Sequence, residues 1–403
     1  MIKSLTWVVI ASLVMVMGLV GCGQVATTPP TPTNSATSSP YLEPFSPIVR
    51  DNLEQMQLLG KLITPQQQTS TVFTHAFSSD DVFLAGLNND LLLVWNTLNG
   101  EVVFMTSRSN AQQVYFSPNK VDLYTLDNDG MVNTYTVDSG DLTDSTRVHE
   151  RYNGVGTYYV PDGILATAGT DDVIRVWDLV EKRAMVALNT SVSLISNLAF
   201  SADGQWLAIA GEAQRVEVWN WKTRERLSEI VFEDVPEVTR IAFDPSNQFL
   251  AISTQDDIRI ATLADGTIPL AFSTAENVTN DLLTYSHDGE ILLGIGYADA
   301  MNVWNPLSGA LVAAIPNLGG EPTRTAFSPD QSLMLSAVFQ GETTIWDITT
   351  LTSGTVAQYN LNLDASIVDV GWSADGRTLA LFEPDGIIQI WGIPDPSQQL
   401  DTY

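Results

Sequence analysis

Cysteine and histidine, the side chains that most readily serve as nucleophile, general base or zinc ligand, are scarce in this chain of 403 residues. There is one cysteine, Cys22, and there are three histidines, His75, His149 and His287. Nucleophilic catalysis needs a base beside the nucleophile, and zinc sites need closely spaced cysteine and histidine ligands. These residues are far apart in the sequence and show neither spacing. We therefore predict no catalytic residue, no metal site, no cofactor and no enzymatic activity.

Acidic side chains recur in short polar turns along the chain. They are Asp90, Asp127, Asp129, Asp171, Asp172, Glu212, Asp256, Asp257, Asp299, Glu342 and Asp385. A ring of carboxylates could hold Ca²⁺, which takes about six to eight oxygen ligands. Asp and Asn also favour tight turns for local reasons, and the stretch Asp127-Asn128-Asp129-Gly130 continues with the apolar Met131 where a ligand is expected. We interpret these acids as turn residues.

Cys22 follows an apolar run, Leu5 to Val20, which is itself preceded by the positively charged Lys3. A membrane-spanning helix needs about 20 apolar residues, so this shorter run is typical of a signal-peptide core. The sequence Leu19-Val20-Gly21-Cys22 resembles the lipobox of bacterial lipoproteins. The resemblance implies that residues 1–21 are removed and that Cys22 carries lipid. The chain would then be anchored on the extracytoplasmic side of a bacterial membrane. An uncleaved N-terminal anchor is the alternative.

Residues 22–47 are predicted to form a tether. Of the 17 residues from Gln24 to Pro40, 12 are Thr, Pro or Ser, and none carries a charge. Such a composition cannot bury a core, so we expect an extended linker between the lipidated Cys22 and a folded domain. We place that domain at residues 48–398 and a short tail at residues 399–403.

The charge of the chain is strongly negative. It has 47 Asp plus Glu and 18 Lys plus Arg, which gives a net charge of −29. Such a surface repels phosphate backbones and anionic lipid headgroups, which argues against nucleic acid and against any membrane contact except through the lipid anchor. A charged protein partner would be basic.

Two sets of residues repeat eight times in register. An aromatic residue followed by a turn recurs every 39 to 45 residues, at Phe77, Phe116, Tyr159, Phe200, Phe243, Tyr285, Phe327 and Trp372. A second set follows each turn, at Trp95, Tyr135, Trp177, Trp219, Ala261, Trp304, Trp346 and Trp391. Between them lie short β-branched and aromatic runs separated by Asp, Gly and Pro, which is typical of four antiparallel strands per repeat. Four strands repeated at this period indicate the blades of a β-propeller.

The repeats resemble those of the WD40 family over residues 55–393. Trp177-Asp178 and Trp346-Asp347 keep the Trp-Asp dipeptide of that family, and Trp95-Asn96 and Trp219-Asn220 are near matches. The family's Gly-His pair is absent, so we expect the blades to depend on the packing of the Trp residues and not on a buried histidine network. The resemblance implies an all-β protein, an eight-bladed β-propeller of four-stranded antiparallel blades.

The two ends of the repeat region are predicted to complete one blade together. The eighth repeat ends at Ile387 to Trp391, and Pro394 and Pro396 prevent another strand. Gln55 to Ile63 is an apolar-polar segment with no repeat around it. We expect this N-terminal strand to supply the missing outer strand and so to close the ring.

One loop combines side chains that are favoured in protein interfaces. Arg147, Arg151 and Tyr152 lie between the second and third repeats. We predict that they contact a protein partner, and that the chain is a non-catalytic interaction scaffold in or outside the cell envelope. Two alternatives stay open: a calcium-dependent lactonase or hydrolase that uses the central channel, and a part in envelope protein assembly, as in the quinoprotein-like eight-bladed lipoproteins.

Overall fold

The computed structural model describes residues 44–63, 72, 74–88, 91–107, 110–150, 152–212, 215–232, 238–254, 257–273, 280–296, 301–315, 322–338, 341–349, 357–363 and 365–394. Within these residues the structure consists of β-strands and two short 3-10 helices, Arg50–Gln55 and Val160–Asp162. Two strands, β1 (Pro44–Ser46) and β2 (Gln57–Leu62), precede the repeats.

Each repeat forms one antiparallel sheet, or blade, in which consecutive strands are neighbours. Blade 1 contains β3 (Thr74–Phe77), β4 (Phe83–Leu87), β5 (Leu91–Asn96) and β6 (Val102–Ser107). Blade 2 contains β7 (Ala111–Phe116), β8 (Asp122–Asp127), β9 (Met131–Thr136) and β10 (Leu142–Arg147). Blade 3 contains β11 (Tyr152–Tyr159), β12 (Ile164–Gly169), β13 (Val173–Asp178) and β14 (Arg183–Asn189). Blade 4 contains β15 (Ile195–Phe200), β16 (Trp206–Gly211), β17 (Arg215–Asn220) and β18 (Glu225–Val231).

The second half of the ring repeats this arrangement. Blade 5 contains β19 (Arg240–Phe243), β20 (Phe249–Ser253), β21 (Asp257–Thr262) and β22 (Leu270–Ser273). Blade 6 contains β23 (Asn280–Tyr285), β24 (Leu292–Gly296), β25 (Met301–Trp304) and β26 (Leu311–Ile315). Blade 7 contains β27 (Pro322–Phe327), β28 (Leu333–Val338), β29 (Thr343–Asp347) and β30 (Ala357–Asn360). Blade 8 contains β31 (Asp369–Trp372), β32 (Thr378–Phe382) and β33 (Ile388–Pro394). The predicted eight-bladed propeller is confirmed.

Burial changes systematically from the first to the fourth strand of a blade. The second strands, such as β12, are buried along their whole length, because neighbouring blades cover both of their faces. The fourth strand of blade 2, β10, is mostly exposed and correspondingly polar. First strands of neighbouring blades contact one another, for example β11 with β15 and β27 with β31. The first strands therefore surround a central channel.

The aromatic-Ser-x-Asp repeat is explained by the turn between the first and second strands. The Ser201 hydroxyl accepts a hydrogen bond from the Trp206 backbone N–H at 2.9 Å and donates one to the Asp203 carboxylate at 2.6 Å. Ser286 with Asp288 and Ser328 with Asp330 do the same. These turns form one side of the ring, which we call the lower face. The turns between second and third strands form the opposite, upper face.

Blade 8 is completed from the N-terminus, as predicted. Strand β2 pairs antiparallel with β33, from Gln57 opposite Gly392 to Leu62 opposite Ile388. Strand β1 continues along the same edge, with Pro44 opposite Pro394. The sheet thus includes residues ahead of the domain start predicted at residue 48. Ile48, Leu53 and Met56, which lie between the two strands, pack into the core cluster shared by blades 7 and 8.

Candidate functional site

Two of the predicted interface residues, Arg147 and Tyr152, lie between blades 2 and 3, at the upper face. Arg147 ends β10, is exposed, and donates from Nη1 to the Asp129 carbonyl at 2.7 Å. Tyr152 begins β11 and is half-buried, and its hydroxyl is enclosed without a hydrogen-bond partner among the described residues. That burial raises the pKa of Tyr152 to about 12. Arg151 and Cys22 lie outside the described residues. The prediction for this loop stays a prediction, and of its two described residues Arg147 is the more exposed.

A buried histidine network supports blade 3, which corrects the expectation from sequence. His149 is 1% exposed, and its ring contacts Thr167 Oγ1 at 3.1 Å and Asp171 Oδ1 at 3.3 Å. Arg175 donates to the same ring and, at 2.9 Å, to Asp171. Burial lowers the pKa of His149, so the neutral imidazole is favoured. Although burial opposes it, hydrogen bonding to Arg175 and His149 lowers the pKa of Asp171 to about 2.

Blade 4 carries a carboxylate in the corresponding region. Glu217 of β17 is fully buried and accepts hydrogen bonds from Thr190 and from the Trp219 indole, each at 2.8 Å. Ser191 and Arg226 also donate to it. Burial alone would raise the pKa of Glu217, but the hydrogen bonds from Ser191, Trp219 and Thr190 outweigh it and lower that pKa. These groups hold the blade together and leave no open position for a ligand.

The lower end of the channel opens into an aromatic groove of about 320 Å³, which we call the mouth groove. Its walls include Phe77, Tyr115, Tyr158, Val160 and Trp372. The Tyr115 and Tyr158 rings lie 4.7 Å apart between centroids, and the Tyr158 hydroxyl donates to the Phe116 carbonyl at 3.1 Å. These bonds fix the rings, and Val160 stays 50% exposed beside them. The groove is a rigid apolar surface open to solvent.

Acids recur around the lower face. The turn between first and second strands carries an Asp in seven of the eight blades: Asp80, Asp162, Asp203, Asp244, Asp288, Asp330 and Asp375. Blade 2 has Asn119 and Lys120 there, and the Lys120 ammonium lies 3.3 Å from Asp80. The hydrogen bonds from Ser286 and from the Glu290 backbone N–H lower the pKa of Asp288, so it is ionised at neutral pH. Beside the groove itself, Asp162 lies 3.9 Å from Lys222 and Asp375 lies 3.4 Å from Arg377, so its rim carries ion pairs of both signs.

Above the mouth groove, the first strands of blades 7, 8 and 1 enclose a second cavity of about 490 Å³, which we call the channel cavity. His75 from β3, Arg324 from β27 and Asp369 from β31 line it. His75 Nδ1 lies 2.8 Å from one Asp369 carboxylate oxygen, and Arg324 Nε lies 3.5 Å from the other. His75 lies on the first strand of blade 1, and the sequence alone indicates no role for it.

Solved structures share this architecture. The C-terminal WD40 domain of Sif2 superposes with a TM-score of 0.66 at 14% identity, covering 84% of this chain and 99% of that domain. The computationally designed Ika8 protein superposes with a TM-score of 0.65 at 17% identity, covering 83% and 99% of the two chains. The fold is that of a WD40-repeat propeller.

Sequence relatives also include WD-repeat proteins, although no protein-family model matches the chain. It is 23% identical to the target of rapamycin complex subunit Wat1 of Schizosaccharomyces pombe over 59% of this chain and 77% of Wat1. It is 25% identical to a periodic tryptophan protein 2 homologue of Dictyostelium discoideum, over 71% of this chain and 34% of the relative. A WD repeat-containing protein of Synechocystis is 26% identical over 51% of this chain and 48% of the relative. This chain thus spans half or less of the last two relatives.

Two kinds of feature are absent from the described residues of the chain. No three His, Cys, Asp or Glu side chains within them converge on a point where a metal could bind. No helix in the described part of the chain has the length and hydropathy needed to cross a membrane.

Proposed function

We propose that this chain is a non-catalytic protein-interaction platform, tethered through lipid on Cys22 to the extracytoplasmic side of a bacterial membrane. The WD40-type fold supports the first part, since such propellers bind protein partners. One relative, Wat1, is named as a subunit of a complex. The signal-like sequence that ends at Cys22 supports the second part.

The mouth groove is the observation that carries the proposal. It joins fixed aromatic rings, which bury much area at little cost in side-chain entropy, to the exposed Val160. The net charge of −29 favours a basic partner segment over an acidic one. We infer that a protein segment with an apolar anchor and flanking Lys or Arg binds at the lower face.

The proposal is tested by comparing two exposed valines. Val160 at the groove is 50% exposed, and Val231 at the end of β18 on the outer edge of blade 4 is 55% exposed. A photo-crosslinking amino acid at either position in producing cells should join a discrete partner at 160 and none at 231. With the captured partner purified, Val160→Lys should weaken binding by about tenfold or more, as expected of an interface anchor. Val231→Lys should leave affinity within about twofold, the change expected away from the interface.

Two results would contradict the lower-face assignment. One is equal crosslinking at both positions, and the other is an unchanged affinity for Val160→Lys. Raising the salt concentration should slow association with a basic partner, because screening weakens the attraction between that partner and the negatively charged protein. In the same assay Arg147→Ala tests the upper-face loop, and a loss of affinity there with Val160→Lys neutral would move the interface to the upper face.

The tether has its own test. A radiolabelled or clickable fatty acid should be incorporated into the wild-type protein and not into Cys22→Ser. Cys22→Ser should also be released from the membrane fraction. Equal labelling of the two proteins, or a mature wild type that retains residues 1–21, would overturn the anchoring proposal and leave the interaction platform standing.

A further inference from the structure

Blade 6 ends in an outer hairpin that lacks charged side chains. Strands β25 and β26 and the turn between them, residues 301–315, include no Asp, Glu, Lys or Arg. The corresponding hairpins of blades 1 to 5 and of blade 7 each include at least one, for example Glu101, Asp138, Arg175, Arg215, Asp257 and Asp347. Natural proteins place charged side chains on outer strands, where they prevent other strands from pairing. Blade 6 lacks this protection.

The outer edge of β26 is open. The strand pairs antiparallel with β25 on one side, and no strand of the described residues pairs with its other side. A β-bulge interrupts the pairing between Leu311 and Ala313, and the register is regular from Ala313 to Ile315. The outward backbone N–H and C=O groups of this part can therefore pair with an added strand. The residue types are all apolar, Leu311-Val312-Ala313-Ala314-Ile315, so no side chain of the strand selects a charged partner.

Two leucines make the same hairpin apolar at its surface. Leu307, in the turn, is 80% exposed, more than any other large hydrophobic residue that the structure describes. Leu311, at the start of β26, is 55% exposed. Single exposed apolar side chains are ordinary, whereas two in one uncharged hairpin are typical of an interaction surface. We call β26 together with Leu307 the blade 6 edge.

Blade 5 holds the blade 6 edge in place. The Phe272 ring of β22 lies 5.9 Å from the Trp304 ring between centroids. It also fills the space beside Gly309, where a Cβ would come within 2.6 Å of Phe272 Cδ1. Gly309 has a φ of 70°, in the left-handed region that favours glycine, so the turn that carries Leu307 has a defined conformation. Binding at a surface that is already ordered costs less side-chain and loop entropy.

We propose that two copies of this chain form a dimer through the blade 6 edge, with β26 of one copy antiparallel to β26 of the other. An antiparallel pair of identical strands has two-fold symmetry, so both copies lose their open edge in the same contact. The contact should also remove Leu307 and Leu311 of each copy from water, which favours association.

Charge favours a second copy over a different protein at this edge. Two molecules of net charge −29 repel each other where their acidic surfaces meet, and an uncharged edge is where they approach with the least repulsion. A basic partner, which the net charge attracts, finds no acidic side chain in the hairpin to pair with. A lipid surface cannot satisfy the backbone groups of an open strand edge. The proposal is independent of the mouth groove, whose residues belong to blades 8, 1, 2 and 3.

Sedimentation equilibrium over a series of protein concentrations tests the dimer. The chain from residue 22 onward with Cys22→Ser is used, so that neither residues 1–21 nor an attached lipid causes association. A monomer–dimer equilibrium is expected. The dimer should become tighter as the salt concentration is raised, because salt screens the repulsion between two negatively charged molecules. Association with a basic partner at the mouth groove should respond to salt in the opposite direction.

Leucines at equivalent positions of two blades supply matched variants. Leu98 occupies in blade 1 the same position of the turn as Leu307, since each backbone N–H donates to the side chain of an Asn two residues earlier. Leu307→Lys and Leu311→Lys each place a charge in the apolar contact and should raise the dissociation constant by at least about tenfold. Leu98→Lys, at a leucine that is 44% exposed, should change it by no more than about twofold.

Hydrogen exchange tests the strand pairing itself. The amides of β26 should exchange more slowly at high protein concentration than at low, because the hydrogen bonds of an added strand protect them. Strand β10, the outer strand of blade 2, is the control and should exchange equally at both concentrations.

Three outcomes would overturn the proposal. The first is a monomer throughout the concentration series at both low and high salt. The second is a dimer whose dissociation constant is unchanged in Leu311→Lys, because the contact would then lie elsewhere. The third is a dimer in which the amides of β26 gain no protection, which would exclude strand pairing. Circular dichroism of the variants checks that the fold is retained, as expected because both leucines are exposed.

Discussion

Blades 3 and 4 are neighbours of similar sequence, yet they hold the tryptophan of their third strand by different chemistry. In blade 3 the Trp177 indole donates to the Val148 carbonyl at 2.9 Å, and the neighbouring His149 is bound to Thr167 and Asp171. In blade 4 the Trp219 indole donates directly to the buried Glu217 carboxylate at 2.8 Å. The buried polar group beside the third strand is therefore a neutral imidazole in blade 3 and an ionised carboxylate in blade 4.

The difference shows which physical requirement the two blades share. Blades 3 and 4 both bury polar groups beside the third strand, where the next blade covers them, so these groups need hydrogen-bond partners within the protein. The residue type that satisfies them is free to vary. We call His149 in blade 3 and Glu217 in blade 4 the two hubs. Replacing them should nonetheless reduce the free energy of unfolding by different amounts and with different pH dependence, because Glu217 is charged and His149 is neutral.

The largest effect should come from Glu217→Ala. It leaves Trp219, Thr190 and Arg226 without a shared acceptor in a buried site, so the free energy of unfolding should fall by about 4 kcal/mol. Chemical denaturation of the full propeller measures the loss. Glu229→Ala removes a partly exposed carboxylate that binds Arg215 and should cost about 1 kcal/mol or less. Equal losses would show that the buried position of Glu217 does not matter.

His149→Ala should cost somewhat less, about 3 kcal/mol, from the cavity it leaves and the lost hydrogen bond to Thr167. The loss is smaller than for Glu217 because Arg175 and Asp171 still pair with each other. His287→Ala, in an exposed turn of blade 6, is the control and should be nearly neutral. A loss in His149→Ala no greater than in His287→Ala would restore the view that packing alone supports blade 3.

Replacing the two tryptophans by phenylalanine compares the acceptors directly. Trp219→Phe loses a hydrogen bond to a charged group and should cost about 2 kcal/mol beyond packing. Trp177→Phe loses one to a neutral carbonyl and should cost about 1 kcal/mol. The difference in unfolding free energy between the two variants, measured in the same denaturant series, compares the charged acceptor with the neutral one. The reverse order would mean that Glu217 is not ionised in the folded protein.

The smallest and most selective effect is in pH. The pKa of His149 is lowered from 6.5 by burial, so the folded state binds this proton less well than the unfolded chain. Stability from His149 is therefore present above about pH 6.5 and is lost as the pH falls through its folded pKa. Glu217 has its pKa lowered from 4.5, so its contribution is present above about pH 4.5 and is lost as the pH falls through its lower folded pKa.

The two pH windows are separated by difference measurements, because acidification also reduces the overall negative charge. Stability is measured from pH 8 to pH 4 for wild type, His149→Gln and Glu217→Gln. Wild type minus His149→Gln should decline from about pH 6.5 downwards, and wild type minus Glu217→Gln should stay level until about pH 4.5. Parallel curves would show that the two hubs do not differ in charge.

The strand pattern and ring closure were predictable because they depend on local signals. The Ser201-Ala202-Asp203 turn and its repeats read directly as hairpins, and Gln55 to Ile63 was recognised as a strand without a repeat. The buried positions of His149 and Glu217 were not predictable from the sequence. His149 lies 28 residues before Trp177, but no Gly precedes it, and the alternation of Val216-Glu217-Val218 is typical of a strand whose polar residue faces solvent. The next blade covers that face, which a pattern within one strand cannot reveal.

The channel cavity was beyond sequence reasoning for a different reason. His75 and Asp369 are 294 residues apart, and they meet only because blades 1 and 8 become neighbours when the ring closes. No periodicity or motif relates them. Pairs of this kind are predictable only once the order of the strands around the ring is known.

Both ends of the described chain leave the propeller at one point, since Pro44 pairs with Pro394 at the outer edge of blade 8. Tension applied to the segment before Pro44 therefore peels β1 from β33 first. The next residues to bear the force are Ile48, Leu53 and Met56, which are buried between blades 7 and 8 and precede β2. A pull on the segment before Pro44 is therefore resisted first by the pairing of β1 with the edge of blade 8 and then by contacts shared between blades 7 and 8.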